Sequence, residues 1–195
     1  MIHARALERR FGDKRVLRGL DLDLGDRETL LVTGPNGSGK STLLGLFAGL
    51  LAPTGGTLEV AVERGAIGYL AHEPLVYCEL TALENLDLYG RLYRVPERRE
   101  RIGMLLERFD LWGARHERVS AFSRGMTQRL ALCRTLLHEP RLVLLDEPYS
   151  GLDAAGATLL DGEVAALSAS RAVVVSTHDP ERIDGLDARR LELAA

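Results

Sequence analysis

Thr29-Leu30-Leu31-Val32-Thr33 runs straight into Gly34-Pro35-Asn36-Gly37-Ser38-Gly39-Lys40-Ser41, and the reading of this junction decides the fold. The first five residues are an apolar run without alternation, the pattern of a strand covered on both faces. The next eight fit G-x-x-x-x-G-K-[ST] without a mismatch. Glycines let the backbone turn consecutive N–H groups toward phosphate oxygens. The helix expected from Ser41 onward points its positive end at the same place. The Lys40 ammonium is a compact point charge that sits between β- and γ-phosphates where a planar guanidinium does not fit. It is one of only two lysines, with Lys14, among 25 basic residues. The Ser41 hydroxyl is a ligand for Mg²⁺, with Thr42 beside it toward the α-phosphate. The stretch from Gly34 to Thr42 therefore reads as a cradle for a nucleoside triphosphate.

Toward the N-terminus, residues 1–10 and 16–24 alternate apolar and polar side chains, as strand pairs with turns at Gly12-Asp13 and Gly25-Asp26. On the other side a helix is expected over 41–51, with Leu43, Leu44, Phe47 and Leu50 on one face. Pro53-Thr54-Gly55-Gly56 stops it, and short strands follow near 57–62 and 66–70. From Pro74 the pattern turns helical. Thr81-Ala82-Leu83-Glu84 is a capping box opening a helix toward Arg91. A second helix is expected over 97–109 and a third over 124–138, ended by Glu139-Pro140. Strand patterns return at 142–145 and 172–176, with a helix over 154–168 between them and a last strand within 188–193. The order predicts an α/β chain of one domain, its core about 1–73 and 139–195, with a helical subdomain of about 74–138 inserted.

Leu142-Val143-Leu144-Leu145 is followed by two acids, Asp146 and Glu147. A buried strand ending in a carboxylate presents it at the sheet edge where such sheets bind ligands. Asp146 is placed to hold Mg²⁺ through water, and Glu147 to orient or deprotonate an attacking water.

A length of 195 residues suits one domain with a proper core. The net charge of −3 gives no footprint for nucleic acid. No apolar run reaches the length of a bilayer span, and the first ten residues hold no apolar signal core. Cys78 and Cys133 lack metal spacing and are expected as free thiols, one of them on a buried helix face.

With these motifs in order, the chain resembles the ATP-binding subunits of ABC transporters over nearly its whole length. The resemblance implies a P-loop NTPase (RecA-like) core with an antiparallel β subdomain and a helical insertion. Ser123-Arg124-Gly125-Met126-Thr127-Gln128 falls where that family has its signature motif, with Phe122, Arg124 and Met126 departing from the common form. Ser123 and Gly125 would there reach ATP held by a second protomer. The working unit implied is a head-to-tail homodimer with two ATP molecules between its halves. Ser150-Gly151-Leu152-Asp153 resembles the loop linking the two sites. Val173 to His178 resembles the switch strand, its histidine, His178, set against the γ-phosphate and Glu147. Phe11 stands where an aromatic stacks on adenine. The family's glutamine after its next strand is replaced here by His72, whose imidazole keeps one donor and one acceptor.

Ala71-His72-Glu73-Pro74 with Leu80-Thr81-Ala82-Leu83-Glu84-Asn85-Leu86 is similar to the haem-exporter ATPase of bacterial cytochrome c biogenesis. The signature variant is shared with multidrug-type exporters, which stand as the alternative, and an ABC ATPase acting on ribosomes or DNA is a more distant one. Either exporter reading implies ATP and Mg²⁺ as cofactors and transmembrane permease subunits as partners. It also implies a peripheral position on the cytoplasmic face of the inner membrane and no nucleic acid.

Overall fold

The computed structural model describes residues 1–179 and 187–194. Strands β1 (Ile2–Phe11), β2 (Lys14–Leu24) and β4 (Gly55–Val60) form an antiparallel sheet in the order β2-β1-β4. Strands β3 (Thr29–Thr33), β5 (Ile67–Leu70), β6 (Leu142–Asp146), β7 (Ala172–Thr177) and β8 (Arg189–Glu192) form a second sheet in the order β5-β6-β7-β3-β8. Every pairing in the second sheet is parallel, so all its strands end on one edge.

The continuous apolar runs are explained by cover on both faces. Leu30 and Val32 of β3, Leu142 and Leu144 of β6, and Ala172 and Val174 of β7 pack with helix α1 (Lys40–Phe47) and the inner face of the antiparallel sheet. Leu31, Val143, Leu145, Val173 and Val175 point the other way, to helices α2 (Ala82–Leu92), α3 (Arg98–Arg108), α4 (Arg124–Leu136) and α5 (Ala154–Ser168). Strand side chains alternate faces, so each strand feeds both cores, and a fully buried Leu or Val contributes about 1.5–3 kcal/mol. Both cysteines are free thiols, and burial pushes that of Cys133 in α4 up from its ordinary range.

Several boundaries differ from the periodicity. The first helix stops at Phe47, not Leu51, because Gly49 turns left-handed (φ 68°). Gly49 N–H then donates to Leu46 O (3.0 Å) and Leu50 N–H to Gly45 O (2.9 Å), a Schellman ending. Leu50 is thereby left 66% exposed, outside the apolar face assigned to it. The Gly55-Gly56 pair does not only stop that helix; it begins β4. Gly12-Asp13 closes the β1–β2 hairpin, where Phe11 pairs with Lys14. Gly25-Asp26 pairs nothing and carries the chain across to the other sheet, steadied by the Glu28 carboxylate on Gly25 N–H (2.9 Å). Helix α4 ends two residues early, so that His138 Nε2 lies 3.1 Å from Ile67 O at the start of β5.

The link from β5 to α2 carries His72 and is held by Tyr89, whose hydroxyl donates to Leu75 O (2.7 Å), and by Asn85. Asn85 in α2 is fully buried. Its Oδ1 accepts Tyr77 N–H (2.8 Å), and its Nδ2 donates to Tyr77 O (3.0 Å) and Thr81 O (2.9 Å). Thr81 also closes the capping box with Glu84, as the sequence predicts. Asn85→Ala leaves Tyr77 N–H without a partner and Tyr77 O with only Leu80 N–H (3.2 Å), so the chain should lose about 1–3 kcal/mol of stability. Urea unfolding monitored at Trp112 checks this, and an unchanged midpoint would remove Asn85 from the account.

Candidate functional site

Helix α1 differs from the helices that carry side-chain caps. Thr81 caps α2, Ser123 caps α4 and Asp153 caps α5, each with a side-chain oxygen on a backbone N–H of the first turn. The N-cap of α1 is Gly39 (φ 105°), and no side chain caps it. Its first-turn N–H groups therefore face the cavity with their partial positive charge uncompensated, which suits an anion. A Cβ on Gly39 would stand 2.8 Å from Val16 Cγ1, so the tight entry also requires glycine.

A cavity of about 550 Å³ opens in front of this end. Asn36, Gly37, Gly39, Lys40, Ser41 and Thr42 line one side, with Phe11, His72, Glu147 and His178 on the others. Gly34, Pro35 and Ser38 serve from behind. The carbonyls of Gly34 and Pro35 accept from Lys40 Nζ at 2.8 and 3.3 Å. Ser38 is buried, and its hydroxyl has no partner.

The second wall comes from neighbouring parallel strands. Asp146 ends β6 beside Ser176 of β7, in register. Glu147 follows with φ 48°, a left-handed backbone that a non-glycine residue rarely holds. Its carboxylate is gripped at both oxygens: Lys40 Nζ lies 3.4 Å from Oε1 and His178 Nδ1 lies 2.8 Å from Oε2. A carboxylate oxygen can only accept, so Nδ1 is the protonated nitrogen in this contact. The three candidate catalytic residues, distant in sequence, thus form one chain of contacts. Asp146 is buried, and its Oδ2 has no partner. An orphan carboxylate oxygen beside a phosphate cradle fits a hard cation that brings phosphate and water as its other ligands. Among the described residues no group of three His, Cys, Asp or Glu side chains is placed to hold a metal by itself.

Phe11, at the end of β1, is 46% exposed into the cavity. The guanidinium of Arg9 lies 4.5 Å from its ring centroid and is anchored on Ala52 O (2.9 Å). Arg9 escaped the sequence reading because alternate residues of a strand say nothing about stacking along one face. Ser123, Gly125 and Asp153 are not brought to the cavity of their own chain. Gly125 packs under the backbone of Gly151, with 3.3 Å from an added Cβ to Gly151 O. Gln128 Nε2 donates to Pro148 O (3.0 Å), which ties the start of α4 to the segment after Glu147.

A family model for ABC transporters matches residues 17–150, which include the glycine loop, Asp146 and Glu147. The chain belongs to that family. The cassette is 38% identical over 184 residues to the uncharacterised ABC transporter ATP-binding protein YxlF of Bacillus subtilis (91% of this chain, 62% of the relative). It is 39% identical over 191 residues to the daunorubicin resistance ATP-binding protein DrrA3 of Streptomyces coeruleorubidus (92% and 60%). The cassette thus spans 62% and 60% of the length of these two relatives. It is 35% identical over 201 residues to the lipoprotein-releasing system ATP-binding protein LolD of Hydrogenovibrio crunogenus (92% and 87%). Among solved structures, the dimeric post-hydrolysis ATP-binding cassette MJ0796 bound to ADP and Pi superposes with a TM-score of 0.88 at 26% identity, covering 99% of this chain and 94% of that one. No helix among the described residues of the cassette is long and apolar enough to cross a membrane.

Under the acid wall, Tyr69 of β5 is half-buried. Burial first, and the charge of Asp146 second, push its phenol up to about 12. A tyrosine in the unfolded chain ionises near about 10. Between these values the unfolded chain releases a proton that the folded one keeps, so stability present below pH 10 is lost as pH rises through that window. Tyr69→Phe should flatten this alkaline decline. Urea midpoints at pH 9 and pH 11 measure it, and equal declines in both proteins would contradict the assignment.

Proposed function

We propose that this cassette binds and hydrolyses ATP as the motor subunit of an ABC exporter, working as a head-to-tail homodimer. The observation that carries the reading is the contact chain Lys40–Glu147–His178 across the mouth of an uncapped helix. The triphosphate lies along Gly34 to Thr42, with the N–H groups of the loop and of α1 on its oxygens. Phe11, backed by Arg9, stacks on the base. Asp146 and Ser41 would hold Mg²⁺, which when bound would supply charge neutralisation to the triphosphate.

Lys40 turns from Glu147 and the two loop carbonyls to the stronger phosphate anion, and that frees Glu147 Oε1. Glu147 then orients a water and accepts its proton as the water oxygen bonds to the γ-phosphorus. The bond from that phosphorus to the bridging oxygen breaks, and ADP leaves with the electron pair. His178 keeps Glu147 Oε2 in place, and His72 borders the same space in the position where the family's glutamine stands. Ser123 and Gly125 act across the dimer, on ATP held by the second protomer, while Asp153 belongs to the loop that links the two sites. The inserted helices of about 74–138 relay closure to transmembrane permease subunits, which hold the cassette at the cytoplasmic face of the inner membrane.

Similarity to daunorubicin-resistance proteins over more than nine-tenths of the chain favours export of a small organic molecule. Haem export for cytochrome c maturation is the second reading, supported by His72 and the segment Leu80–Leu86.

Glu147→Gln should bind ATP with little change, hydrolyse it at least about a hundredfold more slowly, and elute as a dimer with ATP and Mg²⁺ on a sizing column. A variant that stays monomeric under those conditions contradicts the sandwich. Truncating the base platform, Phe11→Ala or Arg9→Ala, should weaken binding of a fluorescent ATP analogue by about three- to tenfold. Unchanged titrations would move the base elsewhere.

A further inference from the structure

The two acids of the proposed site share one buried hydroxyl. Ser176 is fully buried near the end of β7. Its Oγ lies 2.6 Å from Asp146 Oδ1 and 3.0 Å from Glu147 N. A hydroxyl has one proton and the backbone N–H can only donate, so the directions are fixed. Ser176 donates to Asp146 and accepts from Glu147. Glu147 N–H also reaches Ser176 O at 3.2 Å.

These contacts act on two different things. The bond to Oδ1 fixes the plane of the Asp146 carboxylate, so that its partnerless Oδ2 has one orientation to offer. The bond from Glu147 N–H fixes the amide of a residue whose backbone is left-handed, and so sets the direction in which its carboxylate leaves the strand edge. From the far side Gln128 holds the next carbonyl, that of Pro148. An apolar side chain at this position would supply neither bond.

We infer that Ser176 is a positioning residue whose hydroxyl sets the metal-holding acid and the water-activating acid relative to each other. This rests on the reading of the cassette as a magnesium-dependent ATPase. Partners standing behind a metal ligand typically change metal affinity or activity by 10- to 100-fold when removed.

The test compares Ser176→Thr, which keeps the hydroxyl, with Ser176→Val, which has nearly the same shape without it, and with Ser176→Ala. The first readout is the affinity for mant-ATP in EDTA and then in MgCl₂. The second is steady-state hydrolysis. Val and Ala variants should bind mant-ATP in EDTA like the wild type, yet lose about tenfold of the gain that magnesium brings. Their kcat should fall about tenfold with KM for ATP within about twofold, and the Thr variant should stay near the wild type in both. Equal behaviour of the Thr and Val variants, or a loss already present in EDTA, overturns the role of Ser176 and leaves the ATPase reading intact. A wild-type protein that binds mant-ATP but does not hydrolyse ATP sinks the ATPase reading instead, and the magnesium-dependent gain alone then decides for or against Ser176.

Discussion

A strand buried on both faces can meet polar partners only at its ends. In this molecule that constraint governs the middle of the parallel sheet. From Leu142 to Asp146 and from Ala172 to Thr177 every residue is out of water, and β3 between β7 and β8 is nearly so. Apolar side chains fill both faces, so the polar residues Asp146, Ser176 and Thr177 collect at the carboxyl edge, where the strands stop together. The loop after β3 leaves the sheet on the same edge. Cradle and acids therefore meet because the strands are parallel and adjacent, and no long-range attraction between them has to be invoked.

One strained residue sits at the same edge. Glu147 occupies a backbone region that costs on the order of 1–3 kcal/mol for a residue with a Cβ. Bonds on both sides oppose its relaxation: its N–H to Ser176, and the Pro148 carbonyl to Gln128. The stability for this comes from the two cores on either side of the sheet, so the edge is held by packing that lies far from it.

Much of this was legible in the residues. The run Thr29 to Thr33 with the glycine loop predicted a buried strand, a phosphate cradle and a helix. The order of the remaining runs predicted an α/β chain with a helical insertion, and the capping box at Thr81 is present with both of its bonds. Helix ends were less legible, because Gly49 can stop a helix by turning left-handed where periodicity alone continues to Leu51. The contacts of Glu147 with Lys40 and His178 were foreseeable only through motif order. Local pattern does not encode which strands are neighbours. Ser176 was hidden for a related reason: within Val173 to His178 it reads as one more strand residue. Only the β6–β7 register sets its hydroxyl against Asp146.

The helix caps have a further consequence. Ser123 and Asp153 do the same geometric task, each accepting a first-turn N–H, from Met126 and from Gly156. They leave different chemistry behind. A hydroxyl that accepts still owns its proton and can donate it outward, so the start of α4 remains receptive to a negative group brought by another molecule. A carboxylate that accepts has nothing to give and adds its own charge, so the start of α5 turns the same group away. Two helix ends with matching caps are therefore opposite in sign to whatever approaches them.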